Sequence, residues 1–303
     1  MTELTDFQKK ISALLHGMQL RFEEPMARHT SFRIGGPAEA MAFPASAGEL
    51  SAILRAAAEL NIRPAVLGAG TNVLAPDGGL PGLCICLKDA LDGMELLEGN
   101  RIRVMAGVTM TRAAVFAANH GLSGMEFAHG IPGTVGGGVY MNAGAYGGEI
   151  RDICESVDVM DLSGRLKTLT NAQMQFSYRH SILEAEGGIV VSAVFRLNPA
   201  ETEEIKAKMK ELQTKRSASQ PLDLPSAGSA FKRPVGGYAA ALIDQAGLKG
   251  FTVGGAAISE KHAGFAVNLG GATAEDVKNL LQQVSDRVYD HSGIRLEPEV
   301  RIW

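Results

Sequence analysis

Cysteine, long apolar runs and blocks of like charge are all scarce in this sequence, and each scarcity removes a class of protein. The three cysteines, Cys84, Cys86 and Cys154, form an odd and sparse set in 303 residues, which speaks against a disulfide framework and for a reducing compartment. No apolar run approaches the roughly 18 residues of a bilayer span. The first ten residues mix Glu3 and Asp6 with Lys9 and Lys10 and lack the apolar segment of a secretory signal, so a cytoplasmic protein without membrane insertion is expected. The formal net charge is -4 with no basic stretch, which withholds the electrostatic footprint that nucleic-acid binding requires. The seven histidines show no His-Glu-x-x-His spacing and none completes a zinc pattern with the cysteines, so no metal is expected.

What is present describes an ordinary globular chain. Hydrophobic residues at 46% and charged residues at 20% place it far from the disordered regime, and the length allows one large or two to three modest domains. Phe7, Ile11, Leu14 and Leu15 recur at helical spacing over residues 4–16. Ser46-Ala47-Gly48-Glu49 has the capping-box pattern and opens a helix carrying Leu50, Ile53, Leu54 and Ala57. Residues 38–43, 64–67, 83–87, 101–106 and 188–197 read as strands, and 155–161 with 165–169 as a hairpin about Ser163-Gly164. Cys84 and Cys86 fall on one face of their strand and read as packed thiols. Helices follow at 111–120, closed by Gly121, then at 201–219, 238–246 and from Thr273, with Val277, Leu280, Leu281, Val284 and Val288 on one face. A last strand is expected over 294–303.

Two glycine-rich stretches carry the first chemical signal. Gly68-Ala69-Gly70-Thr71-Asn72 follows a strand but has Val73 where a dinucleotide fingerprint needs its third glycine, and no helix pattern follows. The two glycines let backbone N–H groups approach an anion, with Thr71 and Asn72 adding polar contacts; a plain tight turn fits about equally well. Residues 130–148 hold glycine at a density that helix and strand interiors avoid. Gly133-Thr134-Val135-Gly136-Gly137-Gly138 and Asn142-Ala143-Gly144-Ala145 are expected to expose many N–H groups to a pyrophosphate.

Five ordered motifs then resemble the shorter type of the UDP-N-acetylenolpyruvoylglucosamine reductases: the 130–137 run, Met141-Asn142-Ala143-Gly144-Ala145-Tyr146-Gly147, Ser177-Tyr178-Arg179-His180-Ser181, Gly228-Ser229-Ala230-Phe231-Lys232, and Leu296-Glu297-Pro298-Glu299-Val300-Arg301. The resemblance runs from about Thr30 to Trp303. It implies an α+β protein with non-covalent FAD in the two-lobed fold of the vanillyl-alcohol-oxidase type, residues 30–199; ahead of it, the helical spacing over residues 4–16 reads as a docking helix, with 1–29 as helix and lead-in. A smaller α/β substrate domain, residues 200–303, completes it.

The resemblance also implies NADPH as electron donor and a UDP-sugar as substrate. Gly68, Gly70, Thr71, Asn72, Gly133, Thr134, Gly136, Gly137 and Asn142 are expected to line the cofactor. The family's catalytic trio falls on Arg179, Ser229 and Glu299, and Lys232 and Arg233 fall where the sugar nucleotide is held. Two residues depart from the pattern: Arg233 stands where family members often carry asparagine, and His129 where a small residue is common. An arginine at 233 still pairs with phosphate. His129 is read as a packed or solvent-exposed imidazole.

Overall fold

The computed structural model describes residues 4–303; residues 1–3, at the head of the segment read as lacking a signal, lie outside the described residues. The chain forms two compact units, each discontinuous in sequence. The first takes the chain up to Phe22, Glu39–Ala69 and Pro81–Thr214, and the second takes Glu23–Ala38, Gly70–Leu80 and Lys215–Trp303. These units do not coincide with linear edges at residues 30 and 200. Early segments belong with the C-terminal part because their backbone pairs there: Val73–Leu74 runs parallel to Arg301–Ile302.

In the first unit a five-stranded antiparallel sheet runs in the order Leu166–Thr170, Cys154–Met160, Ile189–Arg196, Arg101–Met105, Met94–Leu97. Its central strand, Ile189–Arg196, is buried at every position but the last, as its run of β-branched residues requires. The expected hairpin is the Cys154–Met160 and Leu166–Thr170 pair. Its turn is fixed by Asp161, whose carboxylate accepts from the Ser163 hydroxyl and from the Ser163 and Arg165 amides and is held well below the usual carboxylate range by those bonds.

A second sheet contains Ala65–Leu67 running parallel to Leu80–Cys86, which keeps Cys84 and Cys86 buried as free thiols. Ser46 caps the helix Ala47–Glu59 by accepting from the Glu49 amide at 3.1 Å, while the Glu49 carboxylate returns to the amide of Ala45 rather than to that of Ser46. One core joins these elements, from Ile11 and Leu50 through Ile102 and Val135 to Phe195 and Met209.

The glycine-rich stretch differs from its sequence expectation, because Val135–Tyr140 is a short helix. Glycine is tolerated there for packing: a Cβ on Gly136 would lie 2.8 Å from the Ala106 Cβ, and one on Gly138 would lie 2.7 Å from the Met110 sulfur. Several N–H groups expected to be exposed are used internally. The Val135 and Gly136 amides donate to Val108 and Ala106 carbonyls, and the Gly137 and Gly138 amides donate to the Thr134 hydroxyl and carbonyl.

The second unit holds an antiparallel sheet in the order Ser226–Ser229, Phe265–Asn268, Ala256–Ile258, Thr252–Val253. The helix Ala274–Ser292 buries Val277, Leu280, Leu281, Val284 and Val288, the face read from its spacing. Thr273 and Asp276 form a reciprocal cap at its start, and Asp77 accepts from the amides of Ala274 and Glu275. The final strand is shorter than expected, Arg301–Ile302. Pro298 has no N–H to offer a ladder, and the chain before Arg301 pairs only through the Phe231–Pro298 bridge. Strands at Leu20–Pro25 and Met94–Leu97 were not read from the sequence, although Leu20 and Phe22 alternate with Arg21 and Glu23 in the first of them.

Candidate functional site

In the first unit the two glycine stretches meet. A Cβ on Gly68 would stand 2.4 Å from the Thr134 hydroxyl, so only glycine lets the end of the Ala65–Leu67 strand approach the cap of the glycine helix. Gly133 precedes that cap with φ +140, a conformation reserved for glycine. Gly136 faces inward against Ala106. Gly137 is different: it is exposed, its φ demands nothing special, and a Cβ there would meet nothing nearer than the Thr134 hydroxyl at 3.6 Å. The protein's own packing therefore does not require glycine at 137, whereas a ligand lying flat on the first turn would.

Arg179 sits in the same unit on a two-residue turn. The Ser177 amide donates to the His180 carbonyl at 3.1 Å and the His180 amide to the Ser177 carbonyl at 3.2 Å. Arg179 itself adopts φ +54, the left-handed region that such a turn normally assigns to glycine or asparagine. Its guanidinium lies over the Tyr178 ring at 5.2 Å. Asn142 is fully buried behind this turn, and its amide donates to the Ser177 carbonyl and the Glu149 carboxylate while its oxygen accepts from the Arg151 amide.

The second unit assembles the other candidates. Gly70, at φ +60, packs where a Cβ would come within 2.1 Å of the His29 carbonyl oxygen. The Ser31 hydroxyl reaches the carbonyls of Gly70 and Ser226. It thereby joins the glycine turn to the strand Ser226–Ser229, which ends on the exposed hydroxyl of Ser229. The Arg301 amide donates to the Asn72 carbonyl, and the Glu299 amide donates to the Ala230 carbonyl at 2.9 Å. Gly70-Thr71-Asn72, Ser229 and Glu299 thus share one hydrogen-bonded framework. Lys232 pairs with Glu297 at 3.2 Å on the exposed side of the same bridge, and the Arg233 guanidinium lies 4.1 Å from the Tyr238 ring centre.

The Ala230 amide donates to the Gly264 carbonyl, and the Gly264 amide donates to His262 Nδ1 at 3.1 Å. Burial lowers the His262 pKa below its ordinary value, and the neutral ring keeps Nδ1 as an acceptor. Sequence reasoning did not single out Ser31 or His262. Ser31 stood in a turn-rich stretch whose long-range partners leave no local pattern. His129 is half-buried and lines a groove of about 320 Å³ with Lys206, Met209, Lys210, Gln213 and Thr214. Among the described residues no helix is long and apolar enough to cross a membrane.

The bare, exposed backbone at Gly137 fits a cofactor that lays a phosphate or a flat ring against the first turn of the helix Val135–Tyr140. Residues 38–170 match the family model of an FAD binding domain, and residues 220–303 match that of the UDP-N-acetylenolpyruvoylglucosamine reductase C-terminal domain. A UDP-N-acetylenolpyruvoylglucosamine reductase of Caldanaerobacter subterraneus is 45% identical over 97% of this chain and 96% of its own length. One from Streptococcus pneumoniae is 43% identical over 97% of both. The crystal structure of the Thermus caldophilus reductase is similar with a TM-score of 0.80 at 36% identity, covering 94% of this chain and 98% of that one. The chain belongs to the UDP-N-acetylenolpyruvoylglucosamine reductase family and is an FAD-dependent oxidoreductase of mixed α+β architecture.

Proposed function

We propose that the chain reduces the enolpyruvyl ether of UDP-N-acetylenolpyruvoylglucosamine to UDP-N-acetylmuramate with electrons from NADPH, as a cytoplasmic step of peptidoglycan precursor synthesis. Similarity to reductases of that name along nearly the whole chain supports the substrate. The observation that carries the chemistry is the Glu299–Ala230 backbone bond, which brings the Ser229 and Glu299 segments side by side. Bound FAD supplies a two-electron relay from the nicotinamide to the terminal enolpyruvyl carbon.

The chain's own residues then manage charge and proton. Hydride addition leaves negative charge on the neighbouring carbon, spread into an already anionic carboxylate. Arg179 offers a fixed cation with fork donors, and Glu299 in its protonated form offers a hydrogen bond to the developing enolate. Donors organised in advance in this way lower such barriers by several kcal/mol. Ser229 passes its hydroxyl proton to the anionic carbon and regains one from solvent, to which it is exposed. A hydroxyl is a weak acid, and its use is matched to the strong basicity of that carbon.

In this assignment residues 30–199 hold the flavin and 200–303 cover the substrate, with 1–29 as docking helix and lead-in. Gly68, Thr71, Asn72, Gly133 and Gly137 are each assigned a flavin contact, while buried Gly70, Thr134 and Gly136 shape those segments from within. Asn142 is fully buried and is given no cofactor contact in this assignment. Lys232 and Arg233 hold the diphosphate. The test is Ser229→Ala: NADPH should bleach the flavin at the wild-type rate, while reoxidation by the enolpyruvyl substrate slows by about 10²–10⁴-fold. Wild-type reoxidation would remove Ser229 from the mechanism.

A further inference from the structure

We infer that Asn142 is a positioning residue for Arg179, holding the turn that presents the guanidinium; the inference rests on the catalytic reading of Arg179. The Asn142 side chain is fully buried and its polar atoms are committed to the protein. Its Nδ2 donates to the Ser177 carbonyl at 2.9 Å and to Glu149 Oε2 at 3.0 Å, and its Oδ1 accepts from the Arg151 amide at 2.9 Å. The Ser177 carbonyl is the same atom that closes the turn by accepting from the His180 amide. Asn142 therefore grips the first residue of the turn whose third residue is Arg179.

A second clamp flanks the first. Ser181, fully buried, donates its hydroxyl to the Tyr140 carbonyl at 2.7 Å. The segments Tyr140-Met141-Asn142 and Ser177-Tyr178-Arg179-His180-Ser181 are thus stitched at two points, on either side of Arg179.

The clamp explains two backbone oddities together. Asn142 at φ +44 and Arg179 at φ +54 both occupy the left-handed region. Asparagine tolerates it, which lets one residue leave the glycine helix, turn, and aim its amide at Ser177. Arginine gains no such local benefit, so its conformation must be imposed by the surroundings, and the Ser177 and Ser181 bonds impose it. Strain held by buried hydrogen bonds fixes the direction in which the Arg179 side chain leaves the backbone.

The experiment is a mutant cycle of Asn142→Gly, Arg179→Ala and the double variant, each assayed for FAD content, flavin spectrum, NADPH reduction rate and reoxidation by the enolpyruvyl substrate. Glycine accepts φ +44 without strain, so Asn142→Gly removes the clamp while keeping the backbone path. The expected result is wild-type FAD content, spectrum and reduction rate, with reoxidation slowed about 10–100-fold, the scale set by a misplacement of about 1 Å. In the Arg179→Ala background the same substitution should change reoxidation by less than about twofold.

An equal factor in both backgrounds, or an altered flavin spectrum, would overturn the inference and make Asn142 a cofactor contact. Should Asn142→Gly fail to load flavin, Asn142→Asp keeps the shape and the acceptor for Arg151 and loses both donors, and it must show the same slow reoxidation for the inference to stand. A wild-type rate in Arg179→Ala would overturn the catalytic reading of Arg179 itself. A wild-type rate in Asn142→Gly beside an impaired Arg179→Ala would overturn the positioning role alone.

Discussion

Gly68→Ala tests whether the two glycine stretches meet as described. The added Cβ would stand 2.4 Å from the Thr134 hydroxyl oxygen and 3.5 Å from the Thr134 Cβ. The first distance is a collision and the second an ordinary contact, so one atom creates the whole conflict. Gly68 needs no special φ, and the substitution costs only the overpacking, about 1–3 kcal/mol. Thr134→Ala removes the hydroxyl and loses its cap on the Gly137 amide, about 1 kcal/mol. Combined, the variants should cost little more than Thr134→Ala alone, a coupling of about 1–3 kcal/mol. Urea unfolding of the four proteins in saturating FAD, followed by far-UV circular dichroism, measures it. Additive costs would refute the contact. Gly70→Ala offers no such rescue, because it combines φ +60 with a Cβ 2.1 Å from a backbone oxygen.

Cys84, Cys86 and Cys154 are buried, and burial pushes all three thiols up, Cys154 to about 12, so a thiol reagent should titrate none of them at pH 8 in the folded protein and all three in denaturant. Rapid labelling of the folded chain would contradict their placement. His262 should give a pH dependence. Its folded pKa lies below the unfolded value of about 6.5, so the stability it contributes is present above that value and is lost as pH falls through the folded pKa. Melting temperature should therefore decline below about pH 6.5, and His262→Phe, which keeps a ring against Phe265, should flatten that part of the curve. An unchanged slope would show that the ring does not titrate in this window.

The sequence made the regular elements plain where periodicity was strong. The helix from Thr273 buries the five residues its spacing selects, and the 188–197 strand sits at the centre of its sheet. The glycine stretch was harder, because density alone does not say which way each glycine faces. Gly136 and Gly138 answer to Ala106 and Met110, which lie some 30 residues earlier, whereas Gly137 answers to nothing in the protein. Asn142 illustrates the same limit: its motif suggested a ligand contact, but its partners Ser177, Glu149 and Arg151 become visible only after folding. The discontinuous units were hidden for a related reason, since the pairing of Val73–Leu74 with Arg301–Ile302 spans most of the chain.

The central claim is the reaction itself, and an anaerobic titration of the purified flavoprotein tests it most directly. NADPH should bleach the visible flavin band. UDP-N-acetylenolpyruvoylglucosamine added next should restore it with stoichiometric formation of UDP-N-acetylmuramate, while UDP-N-acetylglucosamine should leave it bleached. A flavin that NADPH reduces but the enolpyruvyl substrate fails to reoxidise, or one that only oxygen restores, would contradict the account.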